Sequence, residues 1–126
     1  MKTASFFLYT GPGRISISRS NPRGILVAGY RALAPGPWFK EVNEATYREL
    51  YAAQLARLDP QKVWADLHAL VPFEPVLLCW EKLQKPGESC HRRMVAQWFK
   101  HALGHDVDEL ATVSMSKPVE RNGELF

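Results

Sequence analysis

Cysteine is scarce in this chain: two residues among 126, Cys79 and Cys90, are too few for the disulfide framework that holds small secreted domains together. Reduced thiols and a cytoplasmic location are the corresponding expectation. Long apolar runs are missing too. The longest, over residues 75–80, falls far short of the roughly 20 residues a membrane-spanning helix needs, so no membrane partner is expected. Residues 1–10 contain one lysine and a brief apolar stretch, without the small-residue cleavage site of a signal peptide, and read as a first strand. There is no strong excess of one charge either. Sixteen Lys and Arg stand against 13 Asp and Glu, a net +3, milder than in domains that grip phosphate backbones non-specifically. Repeats and low-complexity tracts are absent from the sequence.

What is present suits one domain. Hydrophobic residues make up 46% of the chain and charged residues 23%, enough apolar surface for a single core. Residues 5–9 are aromatic-rich and stop at Thr10-Gly11-Pro12-Gly13, which predicts a buried strand and a turn. Residues 15–18 alternate with period two, residues 25–28 are apolar, and Pro35 and Pro37 force a loop. Asn43 caps a helix predicted to residue 58, with Tyr47, Leu50, Tyr51, Leu55 and Leu58 at helical spacing. Asp59-Pro60 opens a second helix carrying Val63, Trp64, Leu67 and Leu70. The continuous apolar run 75–80 predicts a strand covered on both faces, hence central and parallel. Ser89 is expected to cap a third helix, which buries Met94, Val95, Trp98 and Phe99 and stops at Gly104. A last strand is expected over 107–113. The expected whole is a single three-layer α/β domain over residues 1–113, with a mostly parallel central sheet flanked by helices, followed by a flexible polar tail over 114–126.

In such a sheet, ligands sit beyond the carboxyl ends of the strands, where loops lead into helix amino termini. Two segments are candidates: Thr10, Gly11 and Arg14 after the first strand, and Cys79-Trp80-Glu81 with Cys90-His91-Arg92 after the central one. Cys90 is placed in the first turn of its helix, where the helix field and Arg92 favour thiolate, making it the expected nucleophile. Cys79 reads as a small packing residue. His91 precedes Met94 and Val95 by three and four residues, so its ring is expected to lean toward the apolar face with Glu81 as its partner. Against these stand plainer readings: cysteines that only pack, a histidine that bridges loop and helix, and a structural Arg92–Glu81 pair. A zinc centre from Cys79, Cys90, His91 and either His101 or His105 fits no familiar spacing. The last two lie roughly 15 Å along the helix, so neither metal nor cofactor is expected.

The paired motifs Cys79-Trp80-Glu81 and Cys90-His91-Arg92, between an apolar strand and an amphipathic helix, resemble those of the family called domain of unknown function 488. Residues 17–22 look like that family's Asp-x-Arg-x-x-Pro segment, with Ile17 in place of the acid, and Tyr9-Thr10-Gly11 looks like its opening strand and turn. The resemblance implies an α/β fold and a polar group comprising Thr10, Arg19, Glu81, Cys90, His91 and Arg92, and brings no reaction with it. Three functions compete, and enzymatic activity stays open between them. The leading one is binding of an anionic small molecule, a phosphorylated compound or nucleotide. In it Arg14, Arg19 and Arg92 hold the anion, Trp38 or Trp80 stacks a base, and Cys90 or Glu81 supplies chemistry with His91. The second is nucleic-acid binding through Arg14, Arg19, Arg23 and Arg31 with Tyr30 and Trp38. The third is a protein-interaction domain with structural cysteines. Oligomeric state is not legible in any of them.

Overall fold

A computed structural model describes residues 1–80 and 91–110. The described residues form five strands, β1 (Lys2–Ser5), β2 (Arg14–Ser16), β3 (Ala28–Gly29), β4 (Val76–Cys79) and β5 (Asp108–Glu109), and three helices, α1 (Glu44–Ala56) and α2 (Pro60–Leu70) between β3 and β4 and α3 (His91–Leu103) between β4 and β5. Two short 3-10 turns, Arg31–Leu33 and Pro37–Lys40, lie between β3 and α1.

The first two helices begin where their caps predict. The Asn43 side chain accepts from the Thr46 amide at 2.8 Å, and Asp59 accepts from the amides of Gln61 and Lys62 with Pro60 in the first turn, satisfying donors the helix cannot satisfy itself. Gly104 ends α3 at φ 73°, a left-handed conformation that side chains rarely adopt. Tyr51 and Leu55, Val63 and Leu67, and Val95 and Phe99 are the buried positions by which α1, α2 and α3 face the core.

The sheet order is β3-β2-β4-β1-β5, and every pairing is parallel. The apolar run therefore becomes the centre, as its composition requires: Val76 to Cys79 are all buried, with β1 on one side and β2 on the other. Fully burying side chains such as Leu77 and Leu78 contributes roughly 2 kcal/mol each. The two faces are closed differently. Ile15, Ile17 and Leu77 join the helical side chains in one cluster, whereas Ala4, Phe6, Val76 and Leu78 meet Tyr9, Ile25, Val27 and Leu110 in another. The parallel α/β sheet is as expected. Among the described residues its helices cover one face, and loop residues including Tyr9, Ile25 and Val27 pack on the other.

Strand positions differ from the sequence reading at the amino end. The first strand lies over Lys2–Ser5 instead of 5–9, because a parallel strand packed on both faces suits the small Thr3, Ala4 and Ser5, all buried here, better than consecutive aromatic rings. After it the chain turns: the amides of Leu8 and Tyr9 both donate to the Ser5 carbonyl. The apolar 25–28 segment packs under the sheet and pairs only at Ala28–Gly29, while the last strand is seen at Asp108–Glu109. The expected tail, the end of that last strand, the Ser89 cap and the site residues Glu81 and Cys90 lie outside the described residues. No helix among the described residues is long and apolar enough to cross a membrane.

Candidate functional site

β2 and β4 are neighbours, yet the chain leaves their carboxyl ends in opposite directions. From β2 it passes outward to β3, and beyond β4 it enters α3 and crosses β1 to reach β5. Loops that part in this way leave a crevice, the usual ligand position in open α/β sheets. A cleft of about 620 Å³ opens there. Its floor is residues 18–20 after β2 with Trp80 and His91 after β4, and its outer wall is Phe39 and Lys40 of the second 3-10 turn with Glu44, Tyr47 and Arg48 of α1.

The floor is tied together by backbone acceptors. Trp80 Nε1 donates to the Ser20 carbonyl at 2.8 Å, its ring standing edge-on to Phe6 and Phe7 with 42% of the residue exposed. His91 is 5% exposed, its Nε2 is 2.8 Å from the Ile17 carbonyl, and its ring meets Tyr51 edge to face. A carbonyl only accepts, so Nε2 carries the hydrogen. The lean of His91 toward the core is as its spacing predicts, with Ile17 as a partner the sequence could not name. Arg19 Nη1 donates to the Pro35 carbonyl at 3.1 Å, and its guanidinium lies 5.9 Å from the Phe39 ring centre. The Lys40 ammonium lies 5.5 Å from the same ring. Arg48 pairs with Glu44 at 2.9 Å across one helical turn. Neither Arg19 nor Lys40 has a carboxylate partner among the described residues.

Of the residues singled out from sequence, His91, Arg19 and Trp80 meet in this cleft. Arg14, Thr10 and Gly11 do not line it. Arg14 pairs with Val76, level with Lys2 at the amino ends of the strands, about 10 Å of strand rise below the carboxyl edge. The turn before it is fixed at that lower edge: Gly13, at φ 83°, gives its carbonyl to the Val76 amide, and a Cβ there would meet the Glu74 carbonyl at 2.0 Å. Thr10 is exposed on the way down. The chain reverses along the strand between β1 and β2, so only the loop's first residues stay near the upper edge. Trp38, the other candidate for stacking, packs edge-on against Tyr47.

Arg92 is 2% exposed and turns to the other side of α3. Its Nη1 donates to Cys79 Sγ at 3.3 Å, and its Nη2 lies 3.8 Å from Glu109 Oε2 on β5. Arg93 closes on the same carboxylate with two bonds of 2.7 and 2.9 Å. Those bonds, opposed by partial burial and aided by the charge of Arg92, hold the Glu109 carboxyl below its usual range. This cluster is internal. Glu109 pairs with both arginines, and Glu81, the partner weighed for Arg92, lies outside the described residues.

Sequence reading missed Lys40, Glu44, Arg48 and Ser18. The Glu44–Arg48 spacing of four marks a helical face, but nothing in the pattern says whether that face meets water or a cavity. No group of three or more potential metal ligands occurs among the described residues. No family model matches the chain, and no curated protein or solved structure matches it significantly, so the site stands on its own geometry.

Proposed function

We propose that this chain is a cytoplasmic protein that binds a phosphorylated small molecule, most simply a nucleotide, in the cleft beyond β2 and β4. One observation carries the reading: at the sheet's switch point, Arg19 and Lys40 project over Phe39 without a carboxylate partner among the described residues. Guanidinium and ammonium groups so placed donate charge-assisted hydrogen bonds to phosphate oxygens, and the partly exposed Trp80 ring offers a base a face to stack on. His91, anchored through Nε2 to the Ile17 carbonyl, lines the same cleft. Nucleophilic chemistry at Cys90, with Glu81 as general base, belongs to the same proposal, as does the resemblance to domain of unknown function 488 carried by those motifs. A nucleic-acid groove has less support, since Arg14 and Arg19 stand at opposite ends of the β2 region and do not share one stripe.

The test is calorimetric titration with nucleoside mono-, di- and triphosphates and with inorganic phosphate, on the parent chain and on Arg19→Ala. Binding by the parent that weakens at least tenfold in the variant is the expected result. A parent chain that takes up none of these ligands would overturn the reading.

A further inference from the structure

Ser18 follows β2 directly and is part of the cleft floor between the His91 anchor at Ile17 and the cation at Arg19. Its amide is held by Ser16 Oγ at 3.3 Å, so the backbone there is tied. Its own hydroxyl is different: Oγ is buried and has no hydrogen-bond partner among the described residues. A buried hydroxyl without a partner has lost its water and gained nothing in return, and native proteins seldom keep one without a use. Ser18 also lines a second, smaller cavity of about 410 Å³. One turn about χ1 carries the oxygen between staggered positions without moving the backbone.

We infer that Ser18 is a ligand-contacting residue: its hydroxyl turns into the cleft and donates to an oxygen of the bound phosphorylated ligand, beside Arg19. The inference rests on the phosphate-ligand reading above and adds a specific donor to it. A hydroxyl kept for a ligand does nothing for the unliganded fold, so removing it leaves stability untouched or improved while binding suffers. A hydroxyl that served the fold would show the reverse.

The experiment compares the parent, Ser18→Ala and Ser18→Thr by thermal melting without ligand and by titration with adenosine monophosphate and inorganic phosphate. Ser18→Ala is expected to melt at or above the parent temperature and to bind at least tenfold more weakly, with Ser18→Thr, which keeps the hydroxyl, recovering most of the affinity. If the parent binds and Ser18→Ala binds within twofold of it, or melts well below it, the role of Ser18 is overturned while the ligand reading stands. If the parent binds neither probe, the ligand reading itself has failed and this inference goes with it.

Discussion

His91 and Arg92 are consecutive residues, both buried, at the start of one helix, yet they serve two unlike regions of the sheet's carboxyl edge. About 100° of helical rotation separates them. On the β1–β5 side, Arg92 and Arg93 close on Glu109 and Cys79 within the protein. On the β2–β4 side, His91 forms the floor of a cleft in which Arg19 and Lys40 meet an aromatic ring and open space. Burial of a charged side chain thus marks structure where protein groups supply its partners. A candidate site is marked instead where Arg19 and Lys40 gather with no carboxylate partner among the described residues. Basic residues a few positions apart in sequence fall on both sides of that division.

Four changes sharpen or break the contrast. Arg92→Ala removes a buried charge from the internal cluster and should cost about 3 kcal/mol of stability, the low end for a broken buried pair because Glu109 keeps Arg93. Urea unfolding measures it, and ligand affinity of the folded protein should hold within twofold. Arg19→Ala is the mirror case, with affinity falling at least tenfold, about 1.4 kcal/mol, and unfolding free energy changing by less. Should the two variants exchange these effects, the division of the edge is wrong. Asn43→Ala uncaps α1, which carries the outer wall of the cleft, and should cost about 1 kcal/mol with a mild loss of affinity, read by thermal melting and titration.

The smallest expected effect is acid-dependent. Glu109 is held below its ordinary value of 4.5 in the folded chain, so its contribution is complete above that pH and is lost as pH falls through the lower folded value. Being partly exposed, it contributes roughly half a kcal/mol. Melting curves of the parent and Glu109→Gln should therefore differ at pH 7 and converge toward pH 3. A gap that widens on acidification would contradict the pairing with Arg93.

Local chemistry made much of this fold legible. Asn43 and Asp59 cap as their types demand, the helical stripes point inward except at the exposed Leu50 and Leu70, and the apolar run became the central strand at Val76–Cys79. Less legible were features that depend on what lies across from a residue. The aromatic run at 6–9 looks more like a strand than Lys2–Ser5 does, and only the two-sided crowding of a parallel sheet reverses the preference. Arg92 could not be assigned to cleft or cluster without the phase of α3. Lys40 and Arg48 resemble any solvated residues until the 3-10 turn and α1 are folded against the end of β2.

The position of β4 has a consequence for how the molecule comes into being. Both of its neighbours, β1 and β2, are made at the beginning of the chain, some sixty residues or more before it. Until residue 79 is available, β2 can pair only with the two-residue β3, and β1 has no partner at all. During synthesis from the amino end, the opening strands must therefore wait as exposed, unzipped edges while both capped helices can already coil. The sheet is then assembled around a keystone that arrives late, through contacts of long sequence separation, the circumstance in which folding is slowest and premature association most costly.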